Sequence, residues 1–153
     1  MRLLVRAAQI PDYAEHEKFL AALGFGFSSF RSRIVREQGV ENPKVLGMRQ
    51  DLDIRPDRKT TLSAAMKDVE YSGFVPEGAN FSRVSLSFGL KTTSLCISRA
   101  GFEKAFSPIE HIYATDFGGE HPERTFSGKH IRHVAAFFDG KGCAIKIYFG
   151  QSS

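Results

Sequence analysis

Residues 130–149, HIRHVAAFF-DGKG-CAIKIYF, determine the fold class of this chain. Apolar residues alternate with polar residues on both sides of the sequence DGKG at 139–142. Two alternating runs joined by a glycine-rich turn predict an antiparallel β-hairpin. Cys143, one of only two cysteines, is predicted to face inward with Ile145, Ile147 and Phe149. The C-terminal part of the chain is therefore expected to form two strands of an antiparallel sheet.

Outward from this hairpin, three earlier segments show the patterns of strands. Residues 82–88 predict a half-buried strand, because apolar and polar residues alternate there. Residues 93–98 are expected to return alongside it, and residues 111–115 to form a third strand. Charged residues and glycines at 116–129 predict a long polar loop before the hairpin.

The N-terminal part of the chain has the pattern of a helix followed by irregular structure. Asp12 is a predicted N-cap with Glu15 in capping-box spacing, and Gly24 is expected to end this helix. A phenylalanine-rich stretch at 25–30 leads into residues 31–36, which either prolong the helix or begin a loop. Residues 39–57 contain prolines, glycines and alternating charges, and predict irregular structure.

Two further helices are predicted. One begins at Thr60 or Thr61 and closes at Gly73 and Pro76, and a short one follows the N-cap Ser98. The first of them has four apolar residues at helical spacing, which are Leu62, Ala65, Met66 and Val69.

These elements place the chain in the α+β class, with N-terminal helices packed on a mainly antiparallel sheet in the order α-α-β-β-α-β-β-β. The 153 residues are enough for one domain, residues 1–153, with its own core. Fourteen phenylalanines and no tryptophan predict a core built from phenylalanine.

Charge and hydropathy narrow the classes of partner. The net charge is +4, and residues 31–59 carry eight basic and five acidic residues. Because Asp51, Asp53 and Asp57 interrupt the basic residues, a mixed-charge surface is expected and a nucleic-acid partner is not. No apolar run reaches the length of about 18 residues that a membrane span needs. No cofactor is predicted, and the oligomeric state is left open.

The two cysteines admit three interpretations: a disulfide, two unpaired structural thiols, or a reactive Cys96. Alternation with Leu95 and Ile97 predicts that Cys96 faces solvent, whereas Cys143 is predicted to face inward. A bridge between them then needs a bulge, an edge position or a wrap of the sheet, because the two Cα atoms must come within about 7 Å.

The reactive Cys96 belongs to the first enzymatic alternative, a small deamidase or hydrolase. His111 would lower the pKa of the Cys96 thiol and relay a proton, and Asp116 would orient His111. The second alternative is a basic ribonuclease-like toxin that uses His130 and Lys129 for acid–base cleavage of RNA.

Four of the five histidines fall close together in the sequence, as a metal site would require. Three or four ligands must converge on one metal ion. Strand alternation places His130 and His133 on opposite faces, so no metal site is predicted. The four histidines are His111, His121, His130 and His133.

The predicted loop at 116–129 and the start of the hairpin are the candidate partner-binding surface. Long loops held between strands are where recognition concentrates, and aromatic residues with arginines anchor protein interfaces. The predicted contact residues are Phe117, Glu120, Arg124, Phe126, Lys129 and Arg132.

The segments LCISRAGFEKAF at 95–106 and FFDGKGCAI at 137–145 resemble small exported bacterial proteins. They are similar to barrel-assembly accessory lipoproteins and to periplasmic immunity proteins that neutralise type VI secretion effectors. The resemblance implies an oxidising compartment, a Cys96–Cys143 bridge and a protein partner. We therefore expect a non-enzymatic immunity or inhibitor protein that binds a toxin or effector. It is expected in the periplasm if a leader has been removed, and otherwise in the cytoplasm.

Overall fold

The computed structural model describes residues 1–57, 59–114 and 119–152. These residues form one eight-stranded antiparallel sheet and four short helices. The helices are α1 (Arg2–Ala8), α2 (His16–Ala22), α3 (Thr61–Ala65) and α4 (Arg99–Ala105). The strands are β1 (Phe25–Arg36), β2 (Val45–Pro56), β3 (Met66–Pro76), β4 (Arg83–Leu90), β5 (Glu110–Ala114), β6 (Gly119–Phe126), β7 (Ile131–Phe138) and β8 (Ala144–Ser152).

The sheet consists of two four-stranded meanders joined at their last strands. Its strand order is β1-β2-β3-β4-β8-β7-β6-β5, so β4 and β8 meet in the middle. Each neighbouring pair is antiparallel. The two edges of the sheet are therefore β1 and β5, the first strand of each meander.

The α+β prediction is wrong, because the fold is largely β. Strands make up 51% of the described residues and helices make up 18%. The two longest strands, β1 and β2, lie where the sequence predicted a helix extension and irregular structure. The register of β1 shifts between Phe27 and Ser29. A bulge of this kind breaks the alternation of apolar residues, which is why the phenylalanines of β1 do not show a period of two.

The second predicted helix is also mostly wrong. Its start is confirmed, because the Thr60 hydroxyl accepts from the Ser63 amide at 2.9 Å and the Ser63 hydroxyl accepts from the Thr60 amide at 2.8 Å. The helix ends at Ala65, and Met66 begins β3. Asp68 has a φ of 51°, which a helix cannot contain. The helical spacing of Leu62, Ala65, Met66 and Val69 was a wrong signal, because these residues belong to two elements, α3 and β3, that both pack into the same core.

Two predicted connections differ from the observed ones. Residues 93–98 do not form a strand, and only Ser98 bridges to Cys143. The predicted loop at 116–129 contains β6, and residues 115–118 lie outside the described part of the chain. Hydrogen bonding to β7 and β5 stabilises β6 despite its polar sequence.

The first predicted helix is confirmed as α2, but it begins at His16 instead of following Asp12. Asp12 does not cap the helix, because its Oδ1 accepts from the Ala14 amide at 2.9 Å and from Gln151 Nε2 at 2.7 Å. Gly24 follows the helix with a φ of 83°, as expected of a residue that ends a helix. Helix α1 has no counterpart among the predicted elements.

Four predicted elements are confirmed: the β7–β8 hairpin, the strand β4, the short helix α4 and the strand expected at 111–115, which is β5. The Ser98 hydroxyl caps α4 by accepting from the Gly101 amide at 3.0 Å. In the hairpin turn, Asp139 Oδ1 accepts from the amides of Lys141 and Cys143 at 2.9 and 3.0 Å. Among the described residues, no helix has the length and apolar character to cross a membrane.

Helices α1 and α2 cover one face of the sheet, which we call the inner face, and the core lies between them. One row of cross-strand neighbours runs along this face through Leu52, Tyr71, Leu86 and Phe149. All four are buried, and Phe149 has no exposed surface. Fully buried residues from the helices complete the core, and these are Leu4, Ala7, Phe19, Leu20 and others of the same two helices.

Candidate functional site

Cys96 and Cys143 form a disulfide, with their Cα atoms 4.9 Å apart. The bulge that such a bridge required is present: Phe137 pairs with Lys146 and Phe138 with Ala144, which leaves one extra residue in β8. Because of it, Ala144 takes the buried position and Cys143 is only half-buried. The prediction that Cys143 shares an inward face with Ile145, Ile147 and Phe149 is therefore wrong: Ile147 and Phe149 are buried, whereas Ile145 is exposed.

The disulfide removes the nucleophile of the thiol-enzyme alternative. Cys96 is exposed but bonded, and there is no free cysteine. His111 lies on the edge strand β5, where its Nδ1 is 2.6 Å from Glu120 Oε1. Asp116 lies outside the described residues. A thiolate is the species that attacks in such chemistry, so this arrangement lacks its reactive group.

The four clustered histidines are dispersed to three places. His111 is exposed at the β5 edge, whereas His121 and His133 lie on the outer face of the sheet, opposite the helices. His130 is buried beside Asp12, with 3.6 Å between its Nε2 and Asp12 Oδ2. Within the described ranges, no group of histidines, cysteines and carboxylates could hold a metal ion.

The two residues of the ribonuclease alternative, His130 and Lys129, do not share a surface, because one is buried and the other is exposed. His130 is only 5% exposed, whereas Lys129 lies at the surface. A substrate phosphate that reached Lys129 would not reach the imidazole of His130. The geometry therefore gives the nuclease alternative no shared site.

Arg132, one of the predicted partner contacts, is buried and holds the N-terminal segment. Its Nη1 donates to the carbonyl oxygens of Ala8 and Ile10 at 3.2 and 2.5 Å. Its guanidinium also lies over the rings of Tyr13 and Phe126, with its Cζ 5.9 and 5.7 Å from the ring centroids. Arg132 is thus engaged inside the fold and is not accessible to a partner.

Asp12 and Gln151 fix the same N-terminal segment from the other side. The Tyr13 amide donates to Gln151 Oε1 at 2.6 Å, and Gln151 Nε2 donates to Asp12 at 2.7 Å. Burial raises the pKa of Asp12, but hydrogen bonds from Gln151 and Ala14 and the charges of His130 and Lys129 outweigh it. The pKa of Asp12 is consequently below its ordinary value.

The other predicted contact residues lie on or next to β6, and most already have partners. Arg124 donates to the Pro108 carbonyl oxygen at 2.9 Å and lies over the ring of Phe126. Glu120 pairs with Arg99 at 3.3 Å as well as with His111. Lys129 is exposed, and Phe117 lies outside the described residues. This surface is therefore largely occupied by contacts within the chain.

The strongest candidate surface is the β1–β2 hairpin, which contains none of the predicted site residues. Ten large apolar side chains are exposed among the described residues, and half of them belong to this hairpin. The exposed fractions range from 41% to 57%. The five residues are Phe30, Ile34, Val40, Leu46 and Met48.

Register shows that most of this apolar surface continues the inner face. Phe30 is opposite Leu52, a core residue, and Ile34 is opposite Met48 on the same face. The helices reach only the base of the hairpin, where the His16 ring stacks on Phe30 at 5.8 Å. Beyond that point the inner face is uncovered. We call the exposed part, formed by Phe30, Ile34 and Met48, the apolar strip. The pair Ser32 and Gln50 lies on the same face between Phe30 and Ile34.

The outer face of the hairpin carries three arginines, Arg31, Arg33 and Arg49, together with Asp51 and Asp53. Arg33 is directly opposite Arg49, and the row continues through Phe74 to Arg83. Arg49 Nε contacts Asp51 at 3.2 Å. Among the described residues, neither Arg33 nor Arg83 makes an ion pair. Like charges that face each other across a strand pair destabilise a sheet, so this row is not explained by the stability of the fold.

The sequence contained one signal for this surface, the basic excess at 31–59. The apolar signal was hidden, since the bulge after Phe27 disrupts the alternation and Pro43 and Gly47 resemble loop residues. Gly47 instead pairs with Pro76 in the sheet at a φ of 155°.

Comparisons with known proteins give the chain no relative. No protein-family model matches the sequence, and neither the curated proteins nor the solved structures contain a match.

Proposed function

We propose that this chain is a non-enzymatic protein-binding domain of the immunity or inhibitor type, which neutralises a toxin or effector by direct binding through the β1–β2 hairpin. The observation that carries the proposal is the concentration of exposed apolar side chains on that one hairpin. Contiguous exposed apolar surface marks protein interaction sites.

The composition of the hairpin supports protein as the partner. The apolar strip on the inner face would supply the desolvated centre of an interface, and the arginines on the outer face of the same strands would meet the polar part of the partner. Phe30 and Met48 are residue types that interfaces favour. The basic residues are interspersed with Asp51 and Asp53, and Arg31 pairs with Asp53 at 2.9 Å. A continuous phosphate-binding track is therefore less well matched than a protein surface.

The disulfide supports the proposed oxidising compartment. Disulfides form and persist in oxidising environments and are rare in the cytosol. The Cys96 half of this one is exposed, so it would meet cytosolic reductants directly. This supports export to a compartment such as the bacterial periplasm, in line with the resemblance of residues 95–106 and 137–145 to exported immunity proteins.

Affinity capture with matched variants tests the proposal. The wild-type chain, Ile34→Asp and Ile131→Asp would each be immobilised and exposed to lysate and secreted fractions of the source organism. Ile131 is the control, because it is a strand isoleucine of similar exposure, 47% against 57%, on a distant strand. We expect one protein to bind wild type and Ile131→Asp, to be lost from Ile34→Asp, and to bind again as a purified 1:1 complex.

Two results would overturn the proposal. One is a partner that binds all three chains equally, which would place the interface elsewhere. The other is a purified complex that dissociates in the Ile131→Asp variant but not in Ile34→Asp. Circular dichroism and thermal unfolding of each variant would establish that all three remain folded.

A further inference from the structure

Strand β1 has a free edge, which borders both the inner face with the apolar strip and the outer face with the arginines. It is the end strand of the sheet and pairs only with β2. Its register is regular from Ser29 to Val35, between two shifts. Natural edge strands are usually protected by prolines, bulges, short length or charged side chains. The stretch between the shifts has no proline and no bulge, and its charged side chains are Arg31 and Arg33. Its outer backbone groups are therefore open to a strand whose side chains match these arginines.

The side chains of this edge alternate by chemistry. Phe30 and Ile34 lie on the inner face with the apolar strip, whereas Arg31 and Arg33 lie on the outer face. A strand added to the edge has side chains on both faces with the same period of two. Its side chains on the inner face would meet apolar neighbours, and those on the outer face would meet arginines.

The outer face beside Arg33 carries charges of both signs. An open depression of about 610 Å³ lies there, lined by Arg31, Arg49, Asp51, Asp53 and Glu70 among others. Arg31 and Arg49 are paired with Asp53 and Asp51, so the guanidinium left for an incoming carboxylate is that of Arg33, which stands next to the depression and does not line it. Arg33 and Arg49 face each other beside it with a single carboxylate, Asp51, bound to Arg49. A carboxylate placed next to Arg33 would relieve the repulsion between the two guanidinium groups.

We propose that the partner adds a β-strand to the edge of β1, and that this strand alternates apolar with acidic residues. The inference rests on the proposed protein-binding function and names its mode and the partner's chemistry. Main-chain hydrogen bonds to β1 would supply affinity, and the alternating side chains would supply specificity.

A second copy of this chain fits the edge less well. Two β1 strands paired with each other would bring their Arg31 and Arg33 side chains onto one face in close proximity. Directly opposed like charges are destabilising. Charge complementarity therefore favours a segment of a different protein with acidic residues at alternate positions.

Peptide binding to the full disulfide-bonded chain tests the inference. The probes are a short capped peptide that alternates glutamate with isoleucine, one that alternates lysine with isoleucine, and the glutamate peptide with alternate amides N-methylated. Fluorescence anisotropy measures affinity for wild type, Arg33→Glu and the control Arg6→Glu. Arg6 is an exposed arginine on α1, away from the hairpin, so the control makes the same change of charge.

We expect the glutamate peptide to bind wild type and Arg6→Glu alike. Arg33→Glu and the lysine peptide should each weaken binding at least tenfold, and N-methylation should abolish it. Equal binding of the N-methylated peptide would overturn strand addition while leaving the hairpin a docking surface. Equal binding of the lysine peptide would overturn acidic recognition.

Two other outcomes also overturn the inference. Self-association in analytical ultracentrifugation that Arg33→Asp strengthens would assign the edge to a second copy. Tighter binding of a single-stranded RNA than of the glutamate peptide, lost in Arg33→Glu, would assign it to nucleic acid. Neither peptide result depends on the capture of the natural partner, so failure here is separate from failure of the proposed function.

Discussion

The two ends of the inner face differ in what covers them. At one end the row through Leu52, Tyr71 and Phe149 is buried beneath α1 and α2. At the other end Phe30, Ile34 and Met48 have the same strand geometry but remain exposed. One face of the sheet thus has a part that stabilises the fold and a part that is free to bind, and the polar pair Ser32 and Gln50 separates Phe30 from Ile34 and Met48.

Element length accounts for this division. A seven-residue helix such as α1 or α2 is about 10 Å long, whereas a twelve-residue strand such as β1 spans about 40 Å. Helices of this length cannot cover the whole inner face. The distal half of the β1–β2 hairpin therefore extends beyond the core that the helices close.

The largest expected difference between the two ends is in stability. Phe149→Ala removes a ring that packs against Tyr13 and Phe19 at centroid distances of 6.0 and 5.5 Å. We expect it to lower the free energy of unfolding by about 3–5 kcal/mol. Ile34→Ala should change it by less than about 0.5 kcal/mol, because the side chain is exposed. Urea unfolding followed by circular dichroism measures both values.

If Ile34→Ala destabilised the protein as much as Phe149→Ala, the apolar strip would be part of the core and the comparison would fail. Ile131→Ala is the matched control for a strand isoleucine of similar exposure. It should resemble Ile34→Ala in its effect on stability.

The next effect concerns the disulfide, which anchors the covered end. Cys96 and Cys143 are 47 positions apart in the sequence. In the loop-entropy account, a bridge across this separation stabilises the fold by roughly 4 kcal/mol, and measured values are typically 2–4 kcal/mol. The double variant Cys96→Ser/Cys143→Ser should lose about that much in urea unfolding yet bind the partner as wild type does. Loss of binding in a variant that is still folded would show that the disulfide supports the hairpin directly.

The smallest effect is a dependence of stability on pH. Burial lowers the pKa of His133, and the charge of Glu123 only partly opposes this. A depressed folded pKa means that the stabilisation is present above the unfolded value of about 6.5 and is lost as the pH falls through the folded pKa. We expect wild type to lose more stability than His133→Gln between pH 7 and pH 5, in parallel urea titrations. Identical slopes for the two proteins would contradict the shift.

The sequence predicted those strands and helices whose local pattern of residues is uninterrupted. The alternation in β7 and β8, the turn at Asp139 and the Ser98 cap are all local signals, and the elements they predicted are present. β1 and β3 were missed because a bulge after Phe27 and the left-handed Asp68 interrupt their patterns. Strand pairing across the sheet outweighed these local signals, and a single sequence does not contain that information explicitly.

The candidate site was harder to predict, because exposure depends on what packs above a residue. Phe30 and Ile34 are residue types typical of a core. They are exposed because α2, with seven residues, is too short to cover them. Arg132 shows the converse, since a residue type suited to an interface proved to be buried against Ala8 and Ile10. The Cys96–Cys143 bridge was one of the open interpretations, and the bulge in β8 makes it possible.

Amide hydrogen exchange of the full chain, alone and in complex with the captured partner, tests the central claim most directly. We expect partner-dependent protection to be concentrated in residues 28–50, on both strands of the hairpin, with little change at β5 and β6. Protection centred on residues 110–114 and 119–126 instead, with the hairpin unchanged, would contradict the account.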